Sequence, residues 1–476
     1  MSEGRILTIT EPAREVPVAA DVDVLVAGGG AAGLAAALTA AREGATTLLV
    51  ERHSFLGGAA TANFVHKLSQ HRDVLYGVSA ELIDELVRRR AAVVGRVINF
   101  DPEAYKGLTL ELLHKAGVQL LFNTWAVAPV VEGKTLRGVF IENKSGRQAL
   151  LAKTTIDCTG DGDIAHTAGV PSHKGQRSDG KMRPMVLLFH MGGIDFEPMV
   201  EYARSHPDQF SPDPNRNVTD LEHGVLRMWG FFGLVEEACR HGDLPSGFHS
   251  LELEGADVAR GTCYVNGAEV FNVDGTNACD ITRAEIAARE QIPVLSAFVR
   301  KYIPGCENAF AMDTATSIGV RETRHIEGEY ELNEDDCAAG RRFDDRVVRL
   351  STHLVAPGWE MHNPYGKEGA TEDPYRTKVA PELKCFIPYR CMLPKEIDGL
   401  LVAGRAISQT HSADAWTRSQ AWCIGMGQAA GTAAAFAARS GVNARSVDMK
   451  RLQERLRSQG VPLDEIIDNK AAMAAV

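Results

Sequence analysis

Three glycines and one acid near the start of the chain have the types and spacing of a dinucleotide-binding turn. Gly28, Gly30 and Gly33 follow a short apolar run, and Glu51 ends the next apolar run. In such a unit the first glycine permits a tight turn, the second lets a pyrophosphate approach the backbone, and the third lets the helix pack closely. The acid accepts hydrogen bonds from ribose hydroxyls, and the helix N-terminus attracts the pyrophosphate. We therefore predict a dinucleotide site.

A second glycine pair narrows the identity of the dinucleotide. Glu51-Arg52 is followed by Gly57-Gly58, a pair that simple nicotinamide dehydrogenases do not usually carry. The arrangement resembles the signature of two-dinucleotide-binding-domain flavoproteins, whose glycine pair approaches the FAD diphosphate. The resemblance favours FAD over NAD.

Residues in the second half of the chain are candidates for proton transfer and substrate binding. An FAD oxidoreductase needs a substrate C–H bond aimed at flavin N5 and usually a base for a neighbouring O–H or N–H. His411 is the predicted base, and its alternative is a structural histidine. Arg418 either clamps a substrate carboxylate or holds a loop acid such as Asp414. Both lie between the glycine turn at Gly404 and the helix predicted to begin at Gly427, which predicts a position near the flavin.

A second group of candidates precedes these residues in the chain. Arg321, Arg324 and His325 have two interpretations, substrate binding or ion pairing at a domain interface. Tyr389 either acts as an acid–base group or packs at a hinge between domains. His66 and Gln70 follow the second glycine pair, so they are candidates to face the isoalloxazine ring.

The elements that position these residues follow from apolar periodicity and capping residues. A strand is predicted at 22–27, and helices are predicted at 31–43, 77–90 and from Pro102 to about Ala116, the last with Asp101 as its cap. Alternation predicts a three-stranded antiparallel meander at 124–131, 136–142 and 149–151, and a separate parallel strand at 155–158. A long Ala-rich helix is predicted to begin at Gly427 and to aim its free N–H groups at the flavin pyrimidine.

The composition of the chain changes twice, which indicates an interrupted domain. Residues 1–170 and 395–476 have the style of a nucleotide-binding domain, with buried strands, glycine turns and Ala-rich helices. Residues 171–394 are rich in proline, aromatic residues, histidine and arginine. We interpret this middle segment as a separate substrate or capping domain.

The motifs together resemble the bacterial FAD-dependent oxidoreductases, which are related to the glutathione-reductase-type flavoproteins. The match is carried by residues 28–33, 51–58, 157–163, 318–329, 399–407 and 411–431. The flavoproteins of succinate dehydrogenase and fumarate reductase look like more distant relatives. The resemblance implies an α/β fold, in which a discontinuous Rossmann-like FAD-binding domain with a three-stranded β-meander is interrupted by a mixed α+β substrate domain.

Most of the predicted FAD-binding residues belong to these motifs, and Val127 is predicted in addition. Asp161 either accepts hydrogen bonds from the ribityl chain or anchors its turn. The full set is Gly28, Gly30, Ala32, Gly33, Glu51, Arg52, Gly57, Gly58, Val127, Thr159, Gly160, Asp161, Gly404, Gly427 and Gln428.

Composition argues against several other classes of function. The net charge of −11 is spread without long runs of either sign, which argues against a nucleic-acid partner or an anionic membrane. There is no stretch of about 18 apolar residues to span a bilayer and no secretory signal. The nine cysteines form no CxxC pair and no zinc or iron–sulfur spacing, so no metal site is predicted and a reducing cytoplasm is expected.

The predicted function is hydride transfer between a small polar organic substrate, a carboxylate or a polyol, and flavin N5. Electrons would pass to oxygen, a quinone or a redox protein. The alternatives are a reductase of an activated double bond, an NAD(P)H-dependent monooxygenase, and a structural flavoprotein subunit of an electron-transfer complex. A homodimer is expected by analogy only.

Overall fold

A computed structural model of the protein describes residues 9–70, 72–211, 217–352 and 383–464. Residues 1–8 and 465–476, at the ends of the predicted nucleotide-binding domain, lie outside the described residues, as do residues 212–216 and 353–382 of the predicted middle segment. Two large sheets organise the described chain. One is built from segments near both ends of the sequence, and the other from the middle.

The first sheet has a parallel core and an antiparallel margin. Its described strands, in spatial order, are β6 (Gln119–Leu121), β2 (Thr47–Val50), β1 (Val18–Ala27), β9 (Gly146–Asp157), β8 (Thr135–Asn143) and β7 (Trp125–Glu132), with β20 (Leu400–Val402) beside β9. Strands β6, β2, β1, β9 and β20 pair in parallel, whereas β7, β8 and β9 form the antiparallel meander. Apolar clusters cover both faces, which explains why β2 and β20 are buried throughout. The predicted α/β fold with a three-stranded meander is confirmed.

Strand β9 differs from its prediction. The sequence predicts two strands, at 149–151 and 155–158, but the structure contains one strand over Gly146–Asp157. This strand pairs with β1 along its length, with β8 near its start and with β20 near its end. The parallel partner β1 explains the continuity, because Ala152 and Thr154, between the two predicted strands, pair with Val22 and Val24.

The second sheet is antiparallel and has one apolar face. Its described strands, in spatial order, are β12 (Asn217–Asp220), β13 (Val225–Gly230), β14 (Leu251–Asp257), β15 (Thr262–Val270), β11 (Met185–Gly192) and β16 (Phe310–Thr314). Alternate residues such as Leu226, Leu253 and Val265 enter the core with helix α8 (Ala278–Tyr302). The residues between them, including Arg227 and Glu254, face the other way.

Smaller sheets and helices complete the fold. The small sheets pair β3 (Lys67–Leu68) and β4 (Ala92–Val94) with β5 (Ile98–Phe100), β10 (Ser172–Lys174) with β17 (Arg324–Ile326), and β18 (Arg346–Thr352) with β19 (Leu383–Pro388). The α-helices of the described ranges besides α8 are α1 (Ala31–Arg42), α2 (Ala59–Ala62), α3 (Gly77–Arg88), α4 (Pro102–Lys115), α5 (Asp163–Thr167), α6 (Phe196–Ser205), α7 (Phe232–His241), α9 (Glu334–Ala338), α10 (His411–Thr417), α11 (Gln420–Ser440) and α12 (Met449–Ser458). Within those ranges, no helix has the length and apolar character needed to cross a membrane.

Helices α1, α3 and α4 agree with the capping and periodicity arguments to within two residues. Asp101 caps α4 as predicted, because its carboxylate accepts hydrogen bonds from the N–H groups of Glu103 and Ala104. Apolar residues on one side of α3, including Leu82, Ile83 and Leu86, are buried.

The predicted start of the Ala-rich helix at Gly427 is wrong. Helix α11 begins two turns earlier, at Gln420, and Gly427 lies in its interior. A side chain at Gly427 would overlap the carbonyl oxygen of Ala32 in α1, and one at Gly431 would overlap that of Ala36. The glycines of this motif therefore serve the close packing of two helices rather than a turn.

We expect Gly427→Ala to lower the free energy of unfolding by about 1–3 kcal/mol, because the new methyl group must push α11 away from α1. Urea unfolding followed by far-ultraviolet circular dichroism measures the change. Gly107→Ala in α4 is the matched control, because its added methyl group meets open space. That control should raise stability by about 0.5–1 kcal/mol. Equal effects of the two variants would contradict the packing role of Gly427.

Candidate active site

The glycine turn between β1 and α1 forms a cleft whose two sides are bare backbone. Gly28 has a φ of +99°, and a side chain there would overlap the carbonyl oxygen of Cys158. The atom nearest to a Cβ built at Gly30 is Cα of Gly58, 3.8 Å away. Gly30 is also the N-cap of α1 and has no side chain to cap it. The cleft therefore presents backbone and a positive helix end to a ligand.

Glu51 lies at the end of β2, beside this cleft. Its carboxylate is almost buried and accepts hydrogen bonds from the N–H groups of Gly29, at 2.6 Å, and His53, at 2.8 Å. Since an ionised carboxylate has about four acceptor positions, two remain for ribose hydroxyls. Next to it, the guanidinium of Arg52 lies 5.5 Å from the ring of Trp125, two residues before Val127 on β7.

The loop after β9 lies beside the glycine turn, because β9 is the parallel neighbour of β1 and the two strands end at the same edge of the sheet. Thr159 is held by the buried carboxylate of Asp157, which accepts from its N–H and its hydroxyl. Asp161 accepts a hydrogen bond from Thr323 at 2.6 Å and pairs with Arg405. Arg405 also donates to the carbonyl oxygen of Gly160, at 2.8 Å. Asp161 therefore anchors its turn, one of its two predicted roles.

These observations fit a dinucleotide. Because Gly30 and Gly58 lie close together and have no side chains, a diphosphate can approach their backbone directly. Glu51 offers the acceptors that a ribose requires. Gly28, Gly33 and Gly57 are required by the turn itself, because a side chain at any of the three would overlap neighbouring atoms.

A cavity of about 330 Å³ lies beside the cleft. Its wall includes Ala59, which follows Gly58, and Arg405, which follows Gly404. Opposite these residues, the polar face of the second sheet forms the wall. The basic side chains in the wall are Lys67, Arg227, Arg321, Arg405 and Arg418, and the acidic ones are Glu252, Glu254 and Glu269.

The charges of the wall are matched in pairs. Arg227 lies 2.6 Å from Glu252, and Arg321 lies 2.7 Å from Glu269. Lys67 bridges Glu252, at 3.2 Å, and Glu254. Arg405 and Arg418 pair with Asp161 and Asp414, which are not among the described residues of the wall. The wall is thus rich in both donors and acceptors. Such a surface suits a ligand with several hydrogen-bonding groups.

The predicted catalytic residues lie in three different environments. Arg321 and Arg418 are in the cavity wall, and Arg418 Nε lies 3.7 Å from Asp414. His411 is not among the described residues that line the cavity, since its ring turns toward Glu322. Tyr389 is buried away from the wall and donates to the carbonyl oxygen of Ala444 at 3.0 Å. Its burial raises its pKa, so the structure places Tyr389 in the packing role.

Other candidates are also accounted for by their contacts. Arg324 pairs with Asp163 at 2.9 Å, which is the ion-pairing alternative. Burial raises the pKa of Asp163 to about 6, helped by the charge of Asp161. Gln70 lines the cavity and donates to Ser419 Oγ at 2.7 Å. Gln428 faces α3, where its side chain accepts from the N–H of Val78 at 3.0 Å.

A buried cluster around Glu322 was missed by sequence reasoning. One oxygen of Glu322 accepts hydrogen bonds from His411 Nδ1 at 2.6 Å and from His325 Nε2 at 3.0 Å. The other accepts from the N–H of Arg183 at 3.1 Å, and the Arg183 guanidinium lies 3.2 Å from Asp414. Burial alone would raise the pKa of Glu322, but the two histidines and Arg183 hold it well below its usual range. The only sequence signal for this cluster is the close succession of Arg, Glu and His residues at 321–325.

Comparison with known proteins identifies the family. Residues 23–456 match the family model described as FAD dependent oxidoreductase. The chain therefore belongs to the FAD-dependent oxidoreductases, and its cofactor is FAD. A search of proteins of curated function found no match.

Several solved structures have similar folds. A geranylgeranyl bacteriochlorophyll reductase-like protein from Thermoplasma acidophilum is 13% identical, with a TM-score of 0.49 over 93% of this chain and 84% of that chain. A myxobacterial chondrochloren halogenase is 10% identical, with a TM-score of 0.48 over 96% and 88%. The p-nitrophenol 4-monooxygenase of Pseudomonas putida is 11% identical, with a TM-score of 0.46 over 95% and 88%. These similarities do not extend to a substrate.

We expect Glu51→Gln to weaken FAD binding about 10- to 100-fold, because the charged acceptor for the ribose hydroxyls is lost. The dissociation constant is measured by titrating the apoprotein with FAD and following flavin fluorescence. Glu103→Gln is the control, since Glu103 is an exposed residue of α4 that pairs with Lys106. Unchanged affinity in Glu51→Gln would contradict the predicted role.

We expect Glu322→Gln to lower the free energy of unfolding by about 1.5–3 kcal/mol at pH 7. Because the folded-state pKa of Glu322 is lowered, its stabilisation is present above the ordinary glutamate value of about 4.3 and is lost as the pH falls below it. The gap in the free energy of unfolding between the wild type and the variant should therefore narrow as the pH falls from 5 to 3, as measured by urea unfolding. Glu81→Gln, which removes an exposed pair with Arg42, should show a small gap. A gap for Glu322→Gln that widens in acid would refute the assignment.

Proposed function

We propose that this protein oxidises a small polar organic molecule that binds in the cavity beside the FAD site. Bound FAD supplies a two-electron acceptor for a hydride from carbon. The observation that supports the proposal is the composition of the cavity wall. The wall includes Ala59 and Arg405, which follow two predicted FAD-binding glycines in the sequence. It also includes residues from the charged face of the second sheet.

Side chains of the wall bind and orient the substrate in this proposal. Arg321 and Arg418 provide donors, and Glu269 provides an acceptor. Trp229 and Trp416 add apolar surface that excludes water from the bound molecule. The substrate is thereby held in one orientation, which is the part of catalysis that binding supplies.

The N-terminus of α11 adds an electrostatic contribution. Ser419 and Gln420, at the start of this 21-residue helix, lie in the cavity wall. The positive end of the helix dipole favours negative charge that develops nearby. We therefore assign to the N-terminus of α11, at Gln420, the electrostatic role that the sequence predicted for a helix beginning at Gly427.

The pairing of charges favours a hydroxyl-rich substrate over a simple carboxylate. Arg227, Arg321 and Lys67 each lie beside a carboxylate of the same wall. A single anionic substrate would compete with those carboxylates, whereas hydroxyl groups can donate to them and accept from the cations at once.

The test is an anaerobic titration of the purified flavoprotein with a panel of polyols, sugars, hydroxy acids and amines, followed by flavin absorbance. Bleaching by one organic compound is the expected result. Recovery of the colour in air would identify oxygen as an acceptor, and recovery only with a quinone or a redox protein would identify a dehydrogenase. Bleaching by NAD(P)H alone, with no organic substrate active, would refute the proposal in favour of a reductase or monooxygenase.

The same titration tests the cavity. Arg321→Gln should raise the substrate concentration for half-maximal bleaching at least about 10-fold, because a charged hydrogen bond is worth about 1.5–3 kcal/mol. Its FAD content should be unchanged. Arg289→Gln is the matched control, because Arg289 pairs with Glu285 on α8 and lies outside the wall. Equal titration curves for the two variants would place the substrate elsewhere.

A further inference from the structure

Glu254 is a cavity residue whose contacts are incomplete. It lies on β14, on the polar face of the second sheet, and only 1% of its surface is exposed. One carboxylate oxygen, Oε1, pairs with Lys67 Nζ. The other, Oε2, is buried and has no hydrogen-bond partner among the described residues. A buried polar atom without a partner is costly for folding, so its retention points to a ligand.

We propose that Oε2 of Glu254 accepts the proton of a substrate hydroxyl group as the carbon bearing that hydroxyl is oxidised. This inference rests on the proposed function and deepens it, because it assigns the base and specifies the substrate as an alcohol. Glu254 replaces His411 as the proposed base, because Glu254 lies in the cavity wall whereas His411 is hydrogen-bonded to Glu322.

Lys67 makes an alcohol a better substrate here than an amine. Its ammonium group holds Glu254 and lies 3.2 Å from Glu252. A hydroxyl group that donates to Glu254 would place its oxygen near this ammonium, which stabilises negative charge as the proton leaves. The same ammonium would repel the cation of a protonated amine.

The other described groups that face Glu254 do not prevent its carboxylate from gaining or losing a proton. His66 Nδ1 lies 3.7 Å from Oε2, and burial lowers the pKa of His66 to about 3, so it is neutral at neutral pH. Arg227 and Tyr264 are its register partners on the adjacent strands. Arg227 is bound to Glu252, and burial raises the pKa of Tyr264 well above neutrality.

Burial also raises the pKa of Glu254, against the opposing charge of Lys67. A carboxyl group shifted toward neutral pH is a stronger base when ionised than an exposed glutamate. With Glu254 ionised, the two cations Lys67 and Arg227 balance the two anions Glu252 and Glu254. Proton uptake by Glu254 leaves the set with one net positive charge.

The reaction balances with FAD as the oxidant. The substrate loses a hydride from the carbon, which carries two electrons to the flavin, and loses a proton from the hydroxyl oxygen to Glu254. The C–H and O–H bonds break, and a carbonyl group forms. The proton passes to water after the product has left the cavity.

Glu254→Gln is the direct test, and it uses the alcohol that bleaches the wild-type flavoprotein. The rate of anaerobic bleaching should fall about 10²- to 10⁴-fold. The substrate dissociation constant should change less than 10-fold, as measured by tryptophan fluorescence, since Trp229 and Trp416 line the cavity. Glu254→Asp should recover part of the rate. Glu290→Gln, an exposed residue of α8, should behave as the wild type.

The wild type provides a second test that does not depend on the folding of a variant. Its bleaching rate should rise with pH through a single ionisation above the ordinary glutamate value of about 4.3. Infrared difference spectra across that ionisation should show loss of a protonated carboxyl band. The band should be missing from Glu254→Gln and present in Glu290→Gln.

The outcomes separate this inference from the proposed function. Wild-type bleaching rates in Glu254→Gln, or a rate independent of pH in the wild type, would overturn the role of Glu254 and leave the proposed function intact. Bleaching by amines but not by alcohols would overturn the substrate class. If FAD is bound but no organic compound bleaches the wild type, both the inference and the proposed function are wrong.

Discussion

The close packing of α1 against α11 is the constraint on which the rest of the structure depends. The two helices come from opposite ends of the described chain, and their backbones touch because Gly427 and Gly431 have no side chains. Helix α1 begins at the glycine turn, and α11 begins in the cavity wall. Their contact therefore brings the FAD cleft and the cavity together. All described strands of the second sheet lie between these two helices in the sequence.

A buried ionic cluster joins the two segments that flank the second sheet in the chain to helix α10. Glu322 follows the second sheet in the chain, Arg183 precedes it, and His411 and Asp414 belong to α10 beside the FAD site. Breaking a buried cluster of this kind is costly, because each remaining charge would lose its partner without gaining water. The cluster thus holds Arg418 and the start of α11 in register with the cavity. Within the cluster His411 is hydrogen-bonded to Glu322, whereas proton transfer is proposed for another residue.

The second sheet serves both folding and chemistry through the alternation of its strands. In β14, Leu251 and Leu253 enter the apolar core, while Glu252 and Glu254 face the cavity. The polar face would be costly to bury without counter-charges, and Lys67 from the segment after the FAD glycines supplies one of them. The contact of Lys67 with Glu252 and Glu254 therefore connects two parts of the cavity wall and neutralises part of its charge.

The sequence by itself determined the features that depend on neighbouring residues. The turn from Gly28 to Gly33, the cap at Asp101, the meander and the family were all predictable, because short-range sterics and capping specify them. Arg321 and Arg418 were chosen as candidates by residue type, and both lie in the cavity wall. Tertiary structure decided the start of α11, the continuity of β9 and the partners of Glu322 and Glu254. Those features depend on packing and charge contacts between segments far apart in the chain, such as Arg183 and Glu322, which are 139 positions apart. Local sequence pattern does not encode which distant segments will come into contact.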